Sequence, residues 1–357
     1  MWAGVEAEGG CTEGIPCTMW TFRLVSFSGM LPKRFQLDSI LDKVDASLAD
    51  DRRWIILLFV FAFILKLIYI VQSADSLALR VPILDAKYYD DMAQSIASGQ
   101  FIQKQAFFMG PLYPYFVAFV YGIFGRNLML LRAIQILGGS ATVVLTYLIG
   151  KRIFRPSVAL LGAVMLVLYG ASTFYEGQLL MEWLGTLLDM LLLFVLFRDF
   201  GKNYVLKFVL AGFLLGLSSL ARANILIFAP VVLIWILYAA KEKKRLVSAA
   251  AFIASALVTI SPATIHNYVV SKDAVLITWN GGMNFYIGNS DEATGAFVPI
   301  KGVDFTRDMN TERYVEQMVG RDMKPSEVSS YWSTRARMFI KGHPGDELKL
   351  LLTQIHG

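Results

Sequence analysis

Three ionisable residues stand where long apolar runs give way to polar connections: Asp85, Glu182 and Arg222. Asp85 lies in Pro82-Ile83-Leu84-Asp85-Ala86-Lys87-Tyr88-Tyr89-Asp90-Asp91, just past the first long apolar run. A carboxylate at a membrane–water boundary is partly desolvated, which raises its pKa. It is then suited to act as a general base on an acceptor hydroxyl. The competing reading is a cap for the helix that carries Tyr88 and Tyr89. Glu176 and Glu182 flank a second polar connection, Tyr175-Glu176-Gly177-Gln178-Leu179-Leu180-Met181-Glu182. A carboxylate at the top of a span, beside another acidic loop, orients an acceptor or helps hold a divalent cation. The acidic pairs permit such a cation without requiring it, and no metal ligand is assigned. Asp189 falls about 10 Å deeper than Glu182 on nearly the same helix face. It reads as an interhelical polar contact, or as a partner for Lys66. Arg222 occurs in Ser218-Ser219-Leu220-Ala221-Arg222-Ala223-Asn224. Its planar fork matches phosphate oxygens, with snorkelling to headgroups as the alternative.

Other chemistries lack their residues. No Gly-x-x-x-x-Gly-Lys-Ser/Thr loop or His-Glu-x-x-His is present, and His266, His343 and His356 are scattered. The glycines of Asn280-Gly281-Gly282 and Gly288-Asn289 make turns and lack the lysine of a phosphate loop. A lipid-linked activated donor is therefore expected ahead of a soluble nucleotide-linked one.

The elements that must position these residues are apolar helices. The chain has 357 residues, of which 56% are hydrophobic, 17% charged and 13% aromatic. Soluble domains carry about 25% charged residues, so this chain needs lipid to cover its apolar surface. The expected class is all-α, a polytopic membrane bundle. Spanning takes about 20 apolar residues, which predicts seven spans near 54–72, 128–151, 157–175, 179–198, 205–221, 223–240 and 246–264. The stretch 111–125 begins Pro111-Leu112-Tyr113-Pro114, is short and is rich in Tyr and Phe, and is expected to lie along the interface.

Loop charge supports that choice. If 111–125 does not cross, Arg52 and Arg53 share a side with Lys151-Arg152-Ile153-Phe154-Arg155, with Arg198, Lys202 and Lys207, and with Lys241-Glu242-Lys243-Lys244-Arg245. The positive-inside rule then makes that side cytoplasmic. It leaves Asp85, Glu182 and Arg222 together on the outer side. Net charge of +5 reflects this orientation, and no nucleic-acid partner is expected. The expected domains are a cytoplasmic extension over 1–53, a membrane domain over 54–266 and an extracytoplasmic region over 267–357. Within the extension, Phe35, Leu37, Ile40, Leu41, Val44 and Leu48 recur at helical spacing. Cys11 and Cys17 both precede the first span and imply no metal site.

In order and spacing these residues resemble the GT-C membrane glycosyltransferases. The likeness is to the bacterial family 39 type, related to protein O-mannosyltransferases and the lipid A aminoarabinose transferase, over roughly 54–345. The residues that carry it are Asp85-Ala86-Lys87-Tyr88-Tyr89, then Gly110-Pro111-Leu112-Tyr113-Pro114, Glu182, and Arg222 after Gly216-Leu217. They are followed by Ser261-Pro262-Ala263-Thr264-Ile265-His266-Asn267-Tyr268 and by Gly281-Gly282-Met283-Asn284-Phe285-Tyr286-Ile287-Gly288-Asn289. The resemblance implies an inverting transfer from a polyprenyl-phosphate sugar to a protein, lipid or glycan acceptor on the outer face of a bacterial plasma membrane. Asp85 would be the catalytic base and Arg222 the holder of the departing phosphate. Tyr88, Tyr89, Glu176, Glu182, His266 and Asn267 would line the substrates. Two departures are expected to matter. His266 stands where the family often has arginine. Relatives also continue past a motif like His343-Pro344 into further spans, so the chain reads as truncated. Two other functions fit the composition: a transporter of lipid-linked sugars, with Lys66, Asp189 and Arg222 along its path, or a non-catalytic membrane scaffold.

Overall fold

Inside hydrocarbon a backbone has no water to bond with, so each apolar run must satisfy its own amides as a helix. The computed structural model describes residues 42, 44–48, 51–201, 203–239, 244–346 and 348–350. Among these every regular element is helical. The chain divides into two units, Met1–Val44 and Asp45–Gly357. Both cysteines, most of the amphipathic run from Phe35 to Leu48, and Lys202 with 241–243 of the basic loops lie outside the described residues.

The second unit opens with α1, Asp51–Gln72, whose two faces show how lipid sets the pattern. Leu58, Ala62, Lys66 and Ile70, each four residues apart, are buried in the bundle. Ile56, Val60, Phe61, Ile64, Ile68 and Val71 are exposed on the other face. A first connection carries α2, Asp85–Ala97, and α3, Leu112–Phe124. Then come α4, Leu128–Ile153, the pair α5, Pro156–Leu168, and α6, Gly170–Gly177, then α7, Glu182–Phe197, and α8, Tyr204–Ala221. A 3-10 segment, Ala223–Phe228, leads into α9, Ala229–Ala239, and α10 follows over Arg245–Ser271.

Among the described residues helix occupies most of each of the seven expected spans, but the helix lengths differ from the expectation. Four helices are long and apolar enough to cross a membrane alone: Arg52–Gln72, Leu128–Ile153, Tyr204–Ala221 and Arg245–Ser271. The α5/α6 pair makes a fifth only as a broken span, bent by 53° where Tyr169 leaves helical geometry before Gly170. At 1.5 Å per residue, the 16-residue α7 reaches about 24 Å, short of the roughly 30 Å hydrocarbon core. By length and apolarity alone, four of the helices over the seven expected spans, or five with the bent pair, suffice to cross unaided. The 13-residue α3 reaches about 20 Å, also too short to cross.

Packing depends on small residues. The α8–α10 pair closes on Gly212, where an added Cβ would run into the Phe252 carbonyl. Such close backbone approach drives helix association where water gives no hydrophobic push. Pro262 inside α10 cannot donate to the Val258 carbonyl, and the Ser261 hydroxyl takes its place at 2.9 Å. Helix α10 continues past 266, the expected domain boundary, to Ser271.

After it come α11, Gly281–Gly288, α12, Glu312–Val319, and α13, Pro325–Gly342. These pack with the first connection rather than forming a core of their own. Trp279, Met283, Ile300, Val315 and Trp332 share one apolar cluster with Tyr89, Phe107, Phe108, Tyr113 and Trp183. Arg152 donates to the Phe197 carbonyl at 2.9 Å, so the basic connections 151–155 and 198–203 meet at one end. The first connection and the C-terminal segment cap the other.

Candidate functional site

Helix boundaries bring the three flagged residues together. Asp85 is the first residue of α2, Glu182 the first of α7, and Arg222 the first beyond α8. All three line one cavity of about 720 Å³, a size typical of small-ligand sites. Asp85 is aimed by a tight turn in which Ala86 N donates to the Ile83 carbonyl at 3.1 Å. Leu84 takes φ 48° and ψ −121° there, a conformation that glycine adopts freely and leucine does not. Holding a side chain at such an angle costs of order 1–3 kcal/mol. Gly110 closes the opposite wall. A Cβ there would collide with the Ala221 carbonyl oxygen, so only glycine lets this loop meet the end of α8 beside Arg222.

The charges at this cavity are uncommitted. Among the described residues the Arg222 guanidinium has no hydrogen-bond or ion-pair partner. One Glu182 carboxylate oxygen is buried with no partner. Asp85 is exposed to the cavity, yet the surrounding walls displace enough water to push its carboxyl above the usual aspartate range. Beneath them lies Tyr89, 1% exposed, whose hydroxyl donates to the Met181 sulfur at 3.3 Å. Burial first, then the neighbouring Asp85 and Glu182 charges, hold its phenol well above 10, so it stays protonated. Tyr88, edge-on to Tyr89 at 5.6 Å, lines an adjoining cavity, and burial pushes its phenol up to about 12.

Three of the expected substrate contacts are placed elsewhere. Glu176 is buried and paired with Lys66 at 2.5 Å, with Ser172 donating to the same oxygen at 3.0 Å. Lys66 therefore pairs with Glu176, and the expected partnership with Asp189 is not formed. Asp189 instead accepts from the Ser218 hydroxyl at 2.5 Å. Asn267 is wholly buried, accepting from Phe107 N at 2.8 Å and donating to the Val275 and Ile277 carbonyls at 3.1 and 2.9 Å. It ties α10 to the loop before Gly110. His266 stacks on Phe107 at 4.2 Å between centroids and contacts the Gln103 carbonyl at 3.1 Å. Both act behind the cavity wall.

A second cavity of about 410 Å³ opens from the first, sharing Met181, Glu182, Arg222 and Asn224. It runs along α7 past Gly185, Thr186 and Asp189 to Ile227 and Phe228.

Residues not singled out as site residues in the sequence complete the constellation. Thr278, Asn280, Asn284, Phe297, Phe305 and Met309 roof the first cavity. The glycine-rich segment 281–289 signalled a turn, but nothing in its local pattern placed it over Asp85. Equally unsignalled is the support beneath Glu182. Gln135 donates to the Glu176 and Gln178 carbonyls at 2.6 and 2.8 Å and accepts from the Tyr113 hydroxyl at 2.6 Å. Arg132 donates to the Gly177 carbonyl at 2.9 Å and also to that of Leu79. Among the described residues no group of three or more His, Cys, Asp or Glu gathers as metal ligands would.

Residues 109–266 match the family model described as dolichyl-phosphate-mannose-protein mannosyltransferase. No curated protein and no solved structure matches the chain. The matched stretch contains Glu182, Arg222 and the Gly110 wall, and Asp85 lies before it. The matched stretch is less than half of the chain and marks a likeness to membrane glycosyltransferases of the mannosyltransferase type.

Proposed function

We propose that this chain moves a sugar from a polyprenyl-phosphate donor to an acceptor hydroxyl, with inversion, on the extracytoplasmic face. The observation that carries the reading is the meeting of Asp85 with an unpartnered Arg222 in one cavity that continues along α7. In this reading Asp85 accepts the proton of the acceptor hydroxyl. The freed oxygen attacks the anomeric carbon as the bond from that carbon to the phosphate oxygen breaks. The bond's electron pair leaves with the lipid phosphate, whose growing charge meets the Arg222 fork. A donor aimed at charge that develops in the transition state lowers the barrier. The second cavity gives the prenyl chain a course along α7 and the 3-10 segment. Glu182, where the two cavities join, orients the sugar. Two carboxylates plus donor phosphate oxygens are also enough for a divalent cation that keeps several waters. The basic end around Arg152 and Arg198, by the positive-inside rule, is cytoplasmic, which leaves the cavity outside.

The test is the full chain in lipid nanodiscs with a panel of polyprenyl-phosphate sugars, following thermal shift and release of free sugar, with and without EDTA. At least one donor should stabilise the protein and be hydrolysed slowly in the absence of acceptor. A response to none of them, with or without added Mg²⁺, overturns the reading. Loss of turnover in EDTA, restored by added Mg²⁺, shows that transfer needs a divalent cation.

A further inference from the structure

Among the described residues two lysines are buried, Lys66 and Lys207, and they are satisfied differently. Lys66 is paired with Glu176. Lys207, on α8 one turn from its start at Tyr204, is 8% exposed. Its ammonium has no hydrogen bond and no ion pair among the described residues. It stands over the Trp235 ring of α9 at 4.9 Å and over the Phe208 ring at 5.9 Å. Ring faces attract a cation, the more so where water is excluded. They carry no net charge, however, and replace only part of the hydration that burial removes. An ionised side chain within a span calls for a counter-ion.

The neighbouring charges do not supply one. Arg152, on α4, and Asp199, just past α7, are near enough to act on the Lys207 ammonium. Asp199 is exposed, and its carboxylate already accepts from Gly201 N at 2.8 Å. Arg152 and Arg198 lie over one and the same Phe194 ring, at 5.9 and 5.8 Å, and Arg198 also over Phe200 at 6.0 Å. Arg152 gives one N–H to the Phe197 carbonyl. The Arg198 guanidinium has no hydrogen-bond or ion-pair partner among the described residues. Three cations beside one exposed acid leave the group positive. On α9, Trp235 and the largely exposed Tyr238 stand next to it. Such amphipathic rings sit at the headgroup level of a bilayer. The ends of α4, α7 and α8 thus bring unneutralised cations to headgroup depth.

We propose that Arg152, Arg198 and Lys207 bind the phosphate of an anionic phospholipid, at the end of the bundle opposite Asp85. The arginine forks match phosphate oxygens, and the Lys207 ammonium gains the anion it lacks. The acyl chains run along the exposed apolar face of α9 that carries Val231 and Ile234. That face favours a lipid over a soluble anion, and basic pockets between spans suit anionic headgroups. General snorkelling carries a lysine outward to the headgroup layer. Lys207 is instead buried against Trp235 and Phe208. The site is separate from the cavity of Asp85 and does not depend on the transfer chemistry.

The experiment uses the full chain in nanodiscs of phosphatidylcholine with a minor share of phosphatidylglycerol. It reads the lipids retained on the protein in native mass spectra, and the thermal midpoint. Phosphatidylglycerol should be retained ahead of phosphatidylcholine and should raise the midpoint. Lys207→Met should lower that preference about fivefold, the order expected of one basic group at a lipid surface. Arg152→Gln combined with Arg198→Gln should lower it further, which covers the case in which the Lys207 variant does not fold. In pure phosphatidylcholine Lys207→Met should keep the wild-type midpoint, since the lysine has no ion pair to lose. Equal retention of the two lipids by the wild-type protein overturns the proposal, as does a preference unchanged in every variant. So does an equal rise in midpoint from inorganic phosphate in phosphatidylcholine alone, which would make the ligand a soluble anion.

Discussion

Six positions separate Glu176 from Glu182, and the two carboxylates live in opposite circumstances. Around Glu176 most polar groups are spent on one another, although its second carboxylate oxygen is buried without a partner, as one of Glu182's is. Lys66 pairs with its carboxylate, Gln135 takes its carbonyl, and Arg132 gives its donors to the Gly177 and Leu79 carbonyls. Around Glu182 they are unspent: Asp85, Glu182 and Arg222 face a cavity and leave their charges for a ligand. Arg132 and Arg222 make the same contrast between two arginines. A buried charge held by an opposite charge fixes geometry, while one that faces a cavity without such a partner is open to a ligand. The closed cluster also serves the open one, because it holds residues 176–178, just before the α7 start that carries Glu182.

The sharpest way to break this division is Asp85→Asn. It should lower transfer by about 10²–10⁴-fold, the span attributed to a general base, with an unchanged unfolding midpoint and unchanged donor binding. A normal rate would move the base elsewhere. In the closed cluster the same kind of change should act on stability instead. Lys66→Met strands a buried carboxylate and should cost about 3–5 kcal/mol, read as a lowered thermal midpoint. Adding Glu176→Gln should recover most of that loss. If Lys66→Met abolishes transfer at full stability, the cluster is not merely structural. Arg222→Ala should lower the rate by about 10²–10³-fold, as for loss of one transition-state donor, and Arg222→Lys should recover part of it. Neither should lower the midpoint, since the guanidinium has no protein partner to lose.

The smallest effect sharpens the comparison by pH. Desolvation raises the Asp85 carboxyl above its ordinary 3.8, and the base must be ionised to work. Activity should therefore rise with pH through that raised value and fall on acidification sooner than an ordinary aspartate would allow. For stability the sign is opposite. A carboxyl whose folded pKa is raised disfavours the ionised folded state, so its contribution to stability improves as pH falls through that value. An acid limb that stays where it is in Asp85→Glu would assign the titration to another group.

Much of this was legible from residue order. The flagged Asp85, Glu182 and Arg222 do share one cavity, because each stands at a helix end and antiparallel neighbours bring alternate ends together. Other residues misled for an equally physical reason. Glu176 looked like Glu182 because local pattern does not show that Lys66 approaches from α1, more than a hundred residues away. His266 and Asn267 carry the likeness to the family, yet Asn267 spends its amide on three backbone groups. The length of continuous α-helix was overread because apolarity continues through Tyr169 and through the 3-10 segment Ala223–Phe228, where α-helix geometry does not.

The sequence by itself determined that the chain is a membrane protein of apolar helices, since so little charge over so long a chain leaves no other solvent for its surface. It also determined which ionisable residues stand at helix ends. Only the tertiary structure decided which of those charges are free, because pairing depends on contacts between helices distant in the chain. It alone decided that the C-terminal segment roofs the site. Trp279, Met283 and Trp332 carry no periodic signal of their own, and their burial follows from the apolar surface that Phe108, Tyr89 and Tyr113 present to them.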